Sequence, residues 1–352
     1  MSPGRIALFG SGETSASGGK VFDLLAQALP AALHVAVLET PAGFELNAAQ
    51  VAGRVAQFLR LRLQNYNPDV ILVPARKRGT PFSPDDPAIT APLLCADLIV
   101  MGPGSPTYAV KQLASSLAWH RLIARHRLGA ALAVASAAAI AVGAVALPVY
   151  EIYKVGDDPF WHGGLDLFGA YGLKLAIVPH WDNTDGGQEL DTSHCFMGQD
   201  RFDVLQRQLP DDTTVLGLDE QTMMICDLGR ARADVYGKAG VTVLRDGRTE
   251  RYVAGRSFDL AELGDFRLPA PEVGIPPVVW EEANQACQVT TLAQQAAQAT
   301  LMPPPEVTSL LAEREAARAR RDWAAADDLR QRALALGWQI QDTPNGPRCV
   351  PA

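Results

Sequence analysis

The stretch Ala130-Ala-Leu-Ala-Val-Ala-Ser136-Ala-Ala-Ala-Ile-Ala-Val-Gly143 constrains the fold more than any other part of the chain. Its first half is an unbroken apolar run, which suits a parallel strand covered on both faces. Its second half is alanine-rich and reads as the start of a helix. A serine at such a corner would project its hydroxyl at the carboxyl edge of the sheet, where open α/β folds bind ligands. On this stretch alone the plainer reading is preferred: a serine buried in a small-residue packing run.

The sequence before it repeats the pattern. Strands are predicted at Arg5–Phe9, His34–Thr40, Asp69–Pro74 and Ala96–Met101, with helices at Lys20–Leu29 and Asn47–Leu63 between them. This alternation implies right-handed βαβ units and a mostly parallel sheet flanked by helices. The glycine turns Gly10-Ser-Gly-Glu13 and Gly102-Pro-Gly104 then share an edge with Ser136. The first is a weak dinucleotide fingerprint, because its third glycine would fall on Ser15. A tight turn that brings backbone N–H groups to a ligand is the better reading. Farther on, Tyr171–Val178 is a strand ending at His180, and Arg201–Leu209 is a helix. Thr213–Glu220 and Thr222–Asp227 read as paired strands, and Asp246-Gly247 as a hairpin turn.

Prolines at 269, 271, 276 and 277, then at 303 to 305, bracket a Gln/Ala-rich helix over about Glu281–Thr300. The expected organisation is a main domain over 1–263, a linker with a helix over 264–305, and a helical module over 306–352. The net charge of −8 argues against bulk nucleic-acid binding. No apolar run reaches the ~20 residues that span a bilayer, and the start of the chain lacks a signal-peptide pattern. Five scattered cysteines fit reduced thiols in a cytoplasm. No metal or organic cofactor is expected; oligomerisation is left open.

A serine nucleophile needs a base, a group that orients the base, and donors for an oxyanion. Of the six histidines, His34, His120 and His126 read as solvated, and His162 and His194 as loop residues. His180, at the end of an apolar strand, should emerge at the active edge. Glu151 is a carboxylate in an otherwise apolar segment, with pairing to Lys154 as its plainer reading.

Gly10-Ser-Gly-Glu13, Gly102-Pro-Gly-Ser-Pro-Thr107, Ser136-Ala137, Ile177-Val-Pro-His180 and Leu216-Gly-Leu-Asp-Glu220 occur in an order that resembles the dipeptidase E and cyanophycinase family of serine peptidases. The likeness covers about Arg5–Arg256. It implies a class I glutamine amidotransferase-like (flavodoxin-like) fold and a triad of Ser136, His180 and Glu151. The oxyanion hole would be formed by Ala137 with Gly104 or Gly102. The implied substrates are small peptides or amides carrying an aspartyl residue. Gly12, Glu13, Thr107, Trp181, Asn183, His194 and Arg201 are candidates for substrate binding, with Trp161 and Tyr153 shaping the pocket. The family has glycine two residues either side of the serine; here those positions are Val134 and Ala138, and a β-branched residue is harder to fit at a sharp corner.

The C-terminal pattern, from Arg314-x-x-Ala-Arg318 through Asp322-Trp-x-x-Ala326-Asp327 to Gly337-Trp338 and Gly346, resembles the small C-terminal domain of cysteinyl-tRNA synthetases. The synthetase's His-x-Gly-His and Lys-Met-Ser-Lys-Ser signatures are absent, so aminoacylation is not expected. Seven arginines and seven carboxylates balance over 306–352, a weak electrostatic footprint for RNA. A packing or partner-binding hairpin is therefore preferred there, with nucleic acid through 306–349 as the lesser reading. For the main domain, the alternative to a hydrolase is a non-catalytic binding protein on the same scaffold.

Overall fold

The computed structural model describes residues 2–30, 32–301, 303–343 and 346–352. Among the described residues, fourteen strands build the main body: β1 (Ile6–Phe9), β2 (His34–Leu38), β3 (Asp69–Val73), β4 (Leu98–Met101), β5 (Ala131–Ala135), β6 (Val145–Ala146), β7 (His162–Gly163), β8 (Leu175–Val178), β9 (Thr214–Leu218), β10 (Thr222–Asp227), β11 (Arg232–Gly237), β12 (Gly240–Arg245), β13 (Arg248–Val253) and β14 (Ser257–Asp259). The helices are α1 (Ala16–Ala26), α2 (Ala48–Arg62), α3 (Pro87–Thr90), α4 (Pro106–Leu113), α5 (Leu117–Arg127), α6 (Ala137–Ala141), α7 (Ser193–Phe196), α8 (Gly198–Gln208), α9 (Pro277–Leu301), α10 (Pro305–Ala319) and α11 (Trp323–Ala335).

The first sheet has the order β14-β11-β10-β1-β5-β4-β2-β3. Its five strands from β1 to β3 run parallel, and β10, β11 and β14 extend it antiparallel. Alternation along β5 sends Ala131, Ala133 and Ala135 to one face and Leu132 and Val134 to the other. The first set packs with Val21, Phe22, Val55 and Leu59 of α1 and α2. The second joins a core that includes α6 and a second sheet.

That second sheet, β13-β12-β9-β8-β6-β7, corrects one expectation. β9 and β10 are not partners: β9 pairs with β8 and β12, whereas β10 pairs with β1 and β11. The chain changes sheets at Asp219-Glu220-Gln221, where Gln221 takes φ 56°. The corner rests directly on the backbone of Gly10, where a Cβ would lie 2.2 Å from the Asp219 carbonyl oxygen. Asp246 and Gly247, both at positive φ, form the expected hairpin between β12 and β13.

Helix α5 reads as polar, yet Arg121, Arg125, His126 and Arg127 are all buried. His126 accordingly departs from its solvated reading. Its ring hydrogen-bonds the Tyr171 hydroxyl at 2.8 Å, and burial lowers its pKa to about 3.

The chain divides into two compact units, 1–286 and 287–352. The division falls within α9, inside the segment 264–305, and the first part of α9 belongs to the first unit because Ile275, Val279 and Ala283 pack with Ala124 and Glu282 pairs with the buried Arg121. In the second unit α10 and α11 enclose Val307, Leu310, Ala317, Leu329 and Ala333, together with Trp338 and Ile340. The strand pair β15 (Trp338–Thr343) and β16 (Gly346–Pro351) completes it. Asp322 caps α11 by accepting from the Ala325 N–H. The turn expected at Asn345-Gly346 lies partly outside the described residues.

Candidate active site

Four strand ends meet at one edge of the main body. β5 delivers Ser136 at φ 52°, ψ −117°, a conformation that costs a non-glycine residue energy and is characteristic of functional corners. The corner closes although Val134 and Ala138 flank it, because both side chains pack into the core. The Ser136 N–H donates to the Phe9 carbonyl at 3.2 Å, tying the corner to β1.

β8 delivers His180, also at positive φ. Its Nε2 lies 2.9 Å from Ser136 Oγ. Its Nδ1 lies 2.8 Å from Oε1 of Glu220, which follows β9. Since β8 and β9 are parallel neighbours with Val178 opposite Gly217, residues just beyond both ends come together. Glu220 is held from three more sides. The Ser11 hydroxyl donates to Oε2, Asn183 Nδ2 donates to Oε1 at 3.1 Å, and the Glu220 N–H donates to Asp182 at 2.6 Å. The hydrogen bond to His180 is the largest influence holding the Glu220 carboxyl down, at about 2.

The carboxylate beside His180 is therefore Glu220, and the expectation for Glu151 is corrected. Glu151 opens a π-helical turn, Glu151–Val155, and accepts from the Thr107 hydroxyl at 2.6 Å. The signal for Glu220 lay in the sequence: it ends an apolar strand in a quoted motif, as His180 does.

A cleft of about 360 Å³ opens beside Ser136, lined by Ala137, Gly104, His180, Tyr150, Tyr153 and Lys154 among others. Gly104 sits at φ 152°, where a Cβ would lie 1.9 Å from the Pro41 carbonyl oxygen. Gly102 instead borders a separate small cavity with Val37 and Val55. Ala137 is the first residue of α6, so its N–H has no intrahelical acceptor and is available to an anion.

The other expected contacts are redistributed. Gly12 and Glu13 form the turn before α1 and do not line the cleft; within that motif Ser11 reaches the site. Thr107 is engaged by Glu151, and Asn183 supports Glu220. Trp181 packs on His194 and Phe202, while His194 stacks on Phe202. Arg201 lies on the exposed face of α8. Trp161 donates its indole N–H to the Leu205 carbonyl. From the 191–201 segment, Cys195 and Phe196 reach the cleft. Burial and the nearby Glu220 charge push the Cys195 thiol up to about 12, which leaves it un-ionised beside the serine. Among the described residues no group of three or more His, Cys, Asp or Glu side chains is placed to hold a metal, and no helix is long and apolar enough to cross a membrane.

The main body is an α/β domain with the fold of a peptidase. The solved structure that carries this likeness is a peptidase from an acI-B1 actinobacterium, with a TM-score of 0.59 and 20% identity, covering 73% of this chain and 97% of that one. A putative peptidase E protein from Listeria monocytogenes EGD-e matches at a TM-score of 0.43 and 13% identity, over 72% of this chain and 99% of that one, too distant to carry an argument. Residues 303–346 match the cysteinyl-tRNA ligase anticodon binding domain. Over this region the chain is 51% identical to cysteine–tRNA ligase 1 of Burkholderia lata across 45 residues, 13% of this chain and 10% of that protein. It is 52% identical to the Nocardioides ligase across 42 residues, 12% of this chain and 9% of that protein. The chain thus spans about a tenth of the length of these curated relatives.

Proposed function

We propose that the main body is a serine hydrolase cleaving a small peptide or amide through an acyl-enzyme on Ser136. The observation that carries this reading is the continuous path from Ser136 Oγ to His180 Nε2 (2.9 Å) and from His180 Nδ1 to Glu220 (2.8 Å). Ser136 Oγ attacks the substrate carbonyl as His180 takes the hydroxyl proton. The ionised Glu220 keeps the ring oriented and stabilises the imidazolium. The Ala137 and Gly104 N–H groups take the developing oxyanion. His180 then protonates the departing amine, and a water deprotonated by His180 hydrolyses the acyl-enzyme.

The size of the cleft favours small substrates. Among the described residues that line the cleft, Lys154 contributes an ammonium and sits over the Tyr153 ring, which favours a substrate bearing a carboxylate, such as an aspartyl peptide. A fluorophosphonate probe tests the reading: wild type is labelled and Ser136→Ala is not. A folded wild type that takes no label supports a binding protein instead. Hydrolysis of dipeptides with and without an N-terminal aspartyl residue then tests the substrate class.

The match over 303–346 favours a second reading for the module, contact with tRNA. Its balanced charge argues for a weak contact. Deleting 303–352 should lower tRNA retention; unchanged retention would remove this reading.

A further inference from the structure

Glu151 is the carboxylate that the triad leaves over, and its surroundings give it another task. One oxygen, Oε1, accepts from the Thr107 hydroxyl at 2.6 Å. The other, Oε2, is shielded from solvent with no hydrogen-bond partner among the described residues. Leaving a carboxylate oxygen buried and unpaired costs free energy, and such groups recur where function requires them. The bond from the Thr107 hydroxyl is thus the one hydrogen bond on the Glu151 side chain among the described residues.

Thr107 stands on the first turn of α4, two residues from Ser105, whose hydroxyl lies 3.1 Å from that of Thr107 and accepts from the Tyr108 N–H. The Ser105 N–H in turn donates to the Pro41 carbonyl at 2.9 Å. Gly104, immediately before, leaves no room for a Cβ beside that same carbonyl. The turn carrying the Gly104 N–H is thus held by Pro41 on one side and by the Glu151–Thr107 bond on the other. Glu151 also opens the turn that presents Tyr153 and Lys154 to the cleft, so a single hydrogen bond joins a cleft wall to the oxyanion side.

We infer that Glu151 is a positioning residue: through Thr107 it holds the Gly104 turn at the oxyanion position and leaves the His180–Glu220 pair alone. The inference rests on the hydrolase reading of Ser136.

The test is the rate at which a fluorophosphonate labels Ser136. In that step the Oγ–P bond forms, the P–F bond breaks with loss of fluoride, the serine proton passes to His180, and the phosphonyl oxygen occupies the oxyanion position. Glu151→Ala should lower the maximal labelling rate about 10- to 100-fold, below the full loss of a hole donor, with probe affinity within twofold. The pH profile should not move. Thr107→Val should match it, the double variant should add nothing, and Thr107→Ser should recover most of the rate. Wild-type labelling by Glu151→Ala, a loss confined to probe affinity, or a shifted pH profile would each overturn the inference. Amide exchange at Ser105 guards against misfolding and separates the two readings. If even wild type takes no label, the hydrolase reading fails, and the positioning claim is decided by that exchange: faster in Glu151→Ala supports it, unchanged overturns it.

Discussion

Two glutamates belong to the surroundings of the candidate site, one bonded to His180 and the other opening the turn that carries Tyr153 and Lys154, and the chain treats them differently. At the corner after β9, the Glu220 carboxylate accepts three hydrogen bonds, from His180, Ser11 and Asn183, and the Glu220 N–H donates a fourth to Asp182. At the turn after β6, the Glu151 carboxylate has a single hydrogen-bond partner among the described residues and one buried, unpaired oxygen. The first arrangement fixes a charge in place and keeps it ionised. The second spends most of a carboxylate on one hydroxyl. Proximity to a serine therefore does not assign a carboxylate to a triad; the partners of its two oxygens do.

The largest expected effect comes from Glu220→Gln, which should lower Ser136 labelling by about 10³- to 10⁴-fold through loss of ring orientation and should shift the pH profile. An effect no larger than that of Glu151→Gln would erase the distinction. Asn183→Ala removes one bond to the Glu220 charge and should cost about tenfold, roughly 1.5 kcal/mol, by the same labelling assay. In the second unit, Arg314 grips Asp342 with two 3.0 Å bonds and holds the Asp342 carboxyl near 2. Arg314→Met should destabilise that unit by roughly 1 kcal/mol in chemical denaturation, with labelling unchanged. The smallest effect is on pH-dependent stability. The folded Glu220 carboxyl titrates at about 2 rather than the ordinary 4.5, so its contribution is present above about pH 4.5 and is withdrawn as pH falls towards 2. Glu220→Gln should flatten the melting temperature across that window, whereas Glu151→Gln should leave the Glu220 component in place.

Much of this fold was legible because apolar runs ending in glycine or proline mark buried parallel strands. β1, β2 and β4 follow from that rule, and β5 from its unbroken apolar run up to Ser136. The second sheet did not follow. Thr214–Leu218 and Thr222–Asp227 look like hairpin partners locally, yet each pairs with strands distant in the chain and the corner between them packs on Gly10. That same corner hid Glu220. The buried arginines of α5 were also illegible, since burial of charge depends on distant groups: Ala96, whose carbonyl receives Arg125, and Glu282, which receives Arg121. The two histidines that looked alike on that helix differ for the same reason: His126 alone is sealed beneath Tyr171.

Ser136, the proposed nucleophile, rides on one sheet, and His180 and Glu220, its proposed base and supporting carboxylate, ride on the other, with α6 filling the space between. A polypeptide piece carrying either sheet by itself would be chemically mute, however well it folded. On the hydrolase reading, reactivity of Ser136 would therefore require the two layers to be docked and would report more than the formation of any one strand.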